Sequence, residues 1–242
     1  MSSEQKEAPE AQKGYFHESR SFALGIVSIL PLIVLYHCGI VQSGYPVRNL
    51  AEVWLEGPLR LVGLHAAHVL NVALIIALVA VLLRSDIKGF TGFVTIVIMI
   101  AEGGLYALAL YKGGAVLTGV IFDRASQVLF AIDLRASGPL LLALGAGVYE
   151  ELVFRLLLLG GMALLLSKVF LWSRHFSVVV ALVISSLLFA AAHHLGPIGE
   201  QFDPYSFLFR ALSGLLLGVI YLGRGFGVVV WTHAIYNALV VV

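Results

Sequence analysis

Residues 139–167 read PLLLALGAGVYEELVFRLLLLGGMALLLS, an apolar run that carries three charged side chains, Glu150, Glu151 and Arg155. A membrane-crossing helix needs about 20 mostly apolar residues, and this run is longer than that. Gly160 and Gly161 mark a point at which it can bend or break. A charge at the centre of such a helix costs about 2.5–3.5 kcal/mol on insertion scales, so charged residues there face a bundle interior and mark a function. The stretch therefore predicts a helix packed among other membrane helices.

Six further runs on either side have the same character, at 21–41, 61–83, 89–111, 176–194, 205–223 and 226–242. The runs do not alternate, which excludes a membrane barrel, and backbone groups in lipid must bond within their own segment. The fold class read from this pattern is all-α, a polytopic membrane bundle of seven or eight spans. Composition agrees. The chain is 60% hydrophobic and 12% charged, with mean hydropathy +0.98, against about 45–50% apolar and about 25% charged for a soluble domain.

Residues 1–20 read as a polar tail. They lack the basic-then-short-apolar pattern of a secretory signal, so the first run is read as an uncleaved span. The segment 112–138 is ambiguous, because Asp123, Arg124, Asp133 and Arg135 interrupt its apolar runs. It reads as an interfacial segment or part of an eighth span. The N-terminal membrane region is thus 21–138, and a second membrane region follows at 139–242. With seven spans, eight Lys and Arg lie on the N-terminal side and five on the other, which places the N-terminus in the cytoplasm by a narrow margin. Gly214 and Gly218 form a GxxxG pair that permits close helix approach.

Net charge is +1 and no basic block points to nucleic acid. The single cysteine, Cys38, allows no internal disulfide. His37 beside it points about 100° away on a helix, which disfavours a thiol nucleophile.

Glu151 and Arg155 are four apart and share a helix face, so they can pair. Glu150 then points about 100° away and is left for another partner. A structural Glu–Arg lock is the plain alternative, although one arginine does not require two glutamates. Phe189 and His193 are four apart at the end of the 176–194 run, and His233 and Asn237 are four apart in the last. A lone membrane histidine is more often a packing residue. Two histidines, an asparagine and two glutamates on three helices form a set suited to peptide hydrolysis. A carboxylate and an imidazole can deprotonate water, and an imidazole and an amide can stabilise an oxyanion.

These residues, in the order EExxxR, FxxxH and HxxxN, resemble the signature of the CPBP family (also called Abi, or CaaX protease and bacteriocin-processing), intramembrane glutamic proteases of the type II CaaX kind. The resemblance spans about residues 139–242. It implies Glu150 as general base, His193 as the residue that binds and polarises the water, His233 and Asn237 as oxyanion donors, and Glu151 and Arg155 as orienting residues. It implies a membrane-associated protein or peptide as substrate: a prenylated CaaX tail, another processed peptide or a bacteriocin. The compact chain points to a prokaryotic cytoplasmic membrane and to protein or peptide processing ahead of prenyl-protein maturation.

No cofactor is expected. Two histidines and a glutamate are also a catalytic zinc set, which leaves a zinc-dependent protease as an alternative. A non-enzymatic scaffold or immunity protein is another, and no matched pair of broken helices supports a transporter. HExxH, GxSG and GxGD are absent from the sequence. Glu102 stands alone in the third run, facing either the same cavity or a neighbouring helix. His65, His68 and Asn71 read as helix contacts or interfacial residues, Arg210 as a snorkelling residue, and 196–205 as a loop that could border substrate entry.

Overall fold

The computed structural model describes residues 14–43, 49–61, 89–122, 137–195 and 199–241, with a few positions between 72 and 83. Among these residues the chain is a helical bundle without strands. The elements are α1 (Tyr15–Glu18), α2 (Phe22–Ser43), α3 (Leu50–Leu61), α4 (Gly89–Phe122), α5 (Ser137–Glu151), a π-helical segment (Leu152–Gly160), α6 (Gly161–Lys168), α7 (Arg174–Ala192), α8 (Pro204–Arg224) and α9 (Phe226–Val241).

Among the described residues four helices are long and apolar enough to cross a membrane, at Phe22–Gln42, Thr91–Gly114, Arg174–Ala192 and Pro204–Arg224, and Phe226–Val240 is a shorter apolar helix. The 139–167 run is helical without interruption from Ser137 to Lys168. Gly160 and Gly161 keep helical dihedrals, so no break falls there. The departure lies upstream, where the hydrogen bonds widen to π-type immediately after Glu151. Such turns are rare and often mark functional sites. The 61–83 run, with His65, His68 and Asn71, lies largely or wholly outside the described residues. The ambiguous segment begins as a continuation of α4 as far as Phe122, and residues 123–136 lie outside the described residues.

The surface is the reverse of a soluble protein's. Long helices expose Val34, Phe93, Leu105, Val179 and Val219, while Glu151, Arg155, Thr232 and His233 are buried. Apolar outside and polar inside is the distribution a lipid solvent selects. The protein is an integral membrane protein. Interior hydroxyls close on their own helices, Ser28 on the Gly25 carbonyl at 2.7 Å and Thr232 on that of Val228 at 2.8 Å, which removes unsatisfied donors from the apolar core.

Helix α9 lies at the centre, packed by α2, α4, α5 and α8. Val228, Val229 and Val230 are fully buried. Local signals set its entry. Asp203 accepts from the Ser206 amide at 2.8 Å ahead of Pro204, starting α8. Gly225 ends it at φ +85, a conformation that other residues adopt at a cost, and α9 begins on the next residue. The crossing of α5 and α9 is close: a Cβ at Gly147 would stand 2.6 Å from the Ala234 Cβ. Gly214 and Gly218 likewise meet α7 and the π segment, at Ser186, Phe189, Leu182 and Leu159. The GxxxG pair is a helix-packing surface as the sequence indicates.

Helix α3 was not among the expected spans. It is amphipathic and short, with Pro58 inside it. Asn49 caps it, its Oδ1 accepting from the Ala51 amide at 2.9 Å and the Glu52 amide at 3.4 Å. Glu52 and Glu56 are buried.

Candidate active site

The end of α5 presents Glu150 and Glu151 in different directions, as adjacent helical residues must. Glu151 is fully buried. Its Oε1 lies 3.0 Å from Arg155 Nη1 and 2.6 Å from His233 Nδ1 on α9. The arginine contact is an ion pair without hydrogen-bond alignment: Nη1 and Glu151 Oε2 have no hydrogen-bond partner among the described residues. Arg155 Nη2 donates to the Gly214 carbonyl on α8 at 3.2 Å. Its guanidinium lies 4.5 Å from the centre of the Phe189 ring. One arginine thus ties the π segment to α7 and α8, and Glu151 ties it to α9.

Phe189 is the packing centre. Its ring is edge-on to Phe154 at 5.3 Å, to His193 at 4.8 Å and to His233 at 5.9 Å. This is the physical content of the FxxxH spacing: the phenyl ring one turn below fixes the imidazole and carries the arginine on its face.

Glu150 is mostly buried. Oε1 accepts from Asn49 Nδ2 at 3.2 Å. Oε2 has no hydrogen-bond partner among the described residues. It lies 3.9 Å from His193 Nε2 and 3.8 Å from His233 Nε2. Both separations exceed a direct hydrogen bond and suit one bridging polar atom.

The far ring nitrogens fix the tautomers. His193 Nδ1 is 2.8 Å from the Phe189 carbonyl, and His233 Nδ1 is 2.6 Å from the Glu151 carboxylate. Both partners only accept, so each Nδ1 carries a proton. A neutral ring at either position presents an Nε2 lone pair toward Glu150. The two rings differ in backing, a carbonyl behind one and a carboxylate behind the other.

Asn237 follows one turn after His233 on α9 and is partly buried. Among the described residues no hydrogen bond links it to the other five. Of the other five, Glu151 contacts Arg155 and His233 directly, Phe189 links Arg155 to His193, and Glu150 stands 3.8–3.9 Å from both imidazoles. No group of three or more His, Cys, Asp or Glu among the described residues is placed to hold a metal ion.

Glu102 belongs elsewhere. It accepts from Arg224 through both oxygens, at 2.6 and 2.8 Å, from Tyr106 at 3.1 Å, and from Tyr15. Arg224 also donates to Ser19 at 2.9 Å. The end of the polar tail is therefore built into the bundle, with Thr95 donating to Glu18 at 2.8 Å. Burial, and then Glu102, push the Tyr15 hydroxyl up to about 12. Arg210 does not snorkel alone. It pairs with Glu200 and bonds Ser206 at 3.3 Å, beside the loop carrying His194. His37 Nε2 lies 2.7 Å from the Tyr149 hydroxyl, and Cys38 is exposed.

Asn49 is the site contact that motif reading missed. Its only sequence signal is a cap: Asn49 stands three residues before Glu52, a helix-start pattern, in a region without the family motifs.

Beneath an apolar exterior the helices bring together a mostly buried carboxylate, a buried imidazole and a half-buried one. Residues 134–239 match the family model described as Type II CAAX prenyl endopeptidase Rce1-like. Residues 134–239 thus resemble the CPBP, or CaaX protease, family of intramembrane proteases, which are hydrolases. No curated protein and no solved structure matches the chain.

Proposed function

We propose that this protein is an intramembrane glutamic endopeptidase that hydrolyses a peptide bond through a water activated by Glu150 and His193. The observation that carries this reading is Glu150 Oε2, buried, without a hydrogen-bond partner among the described residues, and nearly equidistant from two imidazole Nε2 atoms.

A water between Glu150 Oε2 and His193 Nε2 donates one hydrogen to each. Glu150 takes a proton as the oxygen attacks the scissile carbonyl. The negative charge moves to the carbonyl oxygen, which accepts from His233 Nε2–H and the Asn237 amide. With Nδ1–H given to Glu151, His233 donates from Nε2 only as imidazolium, and Glu151 is the counter-charge behind it. Glu150 then passes its proton to the leaving amine, and the peptide bond breaks. Arg155 holds Glu151 in place and takes no proton. No cofactor enters this sequence. Zinc held by the same three side chains is the competing mechanism, and it predicts loss of activity on chelation.

The substrate is a membrane-associated protein or peptide in a prokaryotic cytoplasmic membrane. A prenylated CaaX tail is one member of that class. The direct test uses Glu150→Gln in the full chain in proteoliposomes with a farnesylated CaaX peptide. It is paired with proteomics of cells lacking the protein, which seeks membrane proteins that retain a C-terminal tail. A folded variant that still processes its substrates, or restores the wild-type proteome, returns the protein to the scaffold class.

A further inference from the structure

We infer that Asn49 is a positioning residue for Glu150, holding one carboxylate oxygen so that the other is the one presented to the two imidazoles. The inference rests on Glu150 being the general base and extends that site into the N-terminal part of the chain, outside residues 134–239.

The amide orientation is settled by its surroundings. Asn49 is buried, at 8% exposure. Its Oδ1 faces two backbone N–H groups, those of Ala51 and Glu52, and backbone N–H can only donate. The other end of the amide is therefore the NH₂ group, and it faces Glu150 Oε1 at 3.2 Å. A carboxylate oxygen can only accept, so the two ends agree. The residue is fixed from a third direction. Its own N–H donates to the Tyr36 hydroxyl at 3.2 Å, and that hydroxyl donates to Glu52 at 2.6 Å. Tyr36 is itself buried on α2.

The consequence is a division of labour within one carboxylate. Oε1 is occupied by a neutral donor anchored to a helix cap. Oε2 is left facing His193 and His233. Without the amide, nothing else among the described residues hydrogen-bonds Glu150, and the carboxylate is free to turn about its last torsion. A base loses rate when its reacting oxygen is not held in line.

The cap and the amide can be separated by substitution. Asn49→Asp keeps an oxygen for the α3 cap, since Asp caps as well as Asn, and replaces the donor with an atom that cannot donate to Glu150. Asn49→Ser keeps a capping oxygen, adds no charge and withdraws the amide. Full-length protein in proteoliposomes, with a farnesylated CaaX peptide as probe, gives kcat and KM. Isotope-edited infrared difference spectra against Glu150→Gln report the Glu150 carboxylate in the absence of turnover. Both Asn49 variants are expected to lower kcat about tenfold to a hundredfold, the range for a hydrogen bond to a charged group. KM should hold within about twofold, the melting temperature within about 2 °C, and the carboxylate band should shift.

Wild-type kcat in both variants beside a dead Glu150→Gln overturns the role of Asn49 and leaves the base assignment standing. A parallel fall in melting temperature and kcat in both reduces Asn49 to a helix cap. Wild-type kcat in Glu150→Gln instead removes the base itself. If the peptide is not turned over, an unshifted carboxylate band in both variants overturns the inference.

Discussion

Two mostly buried glutamates in this bundle, Glu102 and Glu150, arrive at opposite states. Around Glu102, both carboxylate oxygens are held by Arg224, with Tyr15 and Tyr106 adding donors. Around Glu150, one oxygen is held by an amide and the other faces two imidazoles with no hydrogen bond among the described residues. A buried polar group ordinarily finds its partners. A saturated carboxylate has no lone pair left for a reactant and serves as a fastener between helices. An unsaturated one beside two histidines can take a proton from something brought there. In the proposed mechanism the difference in satisfaction, rather than in burial or charge, separates the structural centre from the reactive one.

The comparison can be broken most sharply at the two glutamates. Glu150→Gln is expected to cut kcat by about 10³-fold or more, the range for a positioned general base, with little change in melting temperature; single-turnover cleavage in proteoliposomes measures it. Glu102→Gln should do the reverse. Breaking a fully buried ion pair costs about 3–5 kcal/mol; this pair is partly exposed, so a smaller loss lowers its thermal midpoint while the kcat of the folded fraction stays near wild type. If Glu102→Gln removes activity without loss of fold, the distinction between the centres fails.

Arg155→Met tests the fastener within the active site. It leaves Glu151 buried without its cation, and the fold should lose about 3–5 kcal/mol, read by denaturation in detergent. Activity falls with it, because Glu151 also backs His233. Chelation sharpens the chemistry of the reactive centre. Exhaustive treatment with a strong chelator, checked by elemental analysis, should leave kcat unchanged. Loss restored by zinc would replace the water-activation mechanism with the metal one.

The smallest effect is a pH dependence at the structural centre. Tyr15 is held protonated by burial and by Glu102, with its pKa pushed from 10.0 up to about 12. A group whose folded pKa is raised adds stability that is present in full below its unfolded value. That stability fades as pH climbs toward the folded one. Between pH 10 and 12 the wild-type melting temperature should therefore fall more than that of Tyr15→Phe. Equal slopes would separate Tyr15 from Glu102.

The sequence determined a good deal. Long apolar runs fixed helices and membrane, because lipid leaves no other partner for the backbone. Spacing of four placed Glu151 with Arg155 and Phe189 with His193 on shared faces, because helical periodicity is a local property. The same periodicity turned Glu150 away from Glu151. Motif order then identified the family, and residues 134–239 bear it out. Other features left no such trace. The π-helical turn over Leu152–Gly160 has no composition of its own; the two glycines at its end drew attention to the wrong place. Helix α3 is short, contains Pro58 and buries two glutamates, all of which argue against a span.

Only the tertiary structure decided which glutamate is fastened and which is free. It gave Glu102 its arginine, more than a hundred residues away in the chain, and gave Glu150 the Asn49 amide from a region without motifs. Periodicity specifies the face of a helix on which a side chain lies. Whether that side chain is satisfied depends on what the other helices bring to meet it, and that information is distributed over the whole chain.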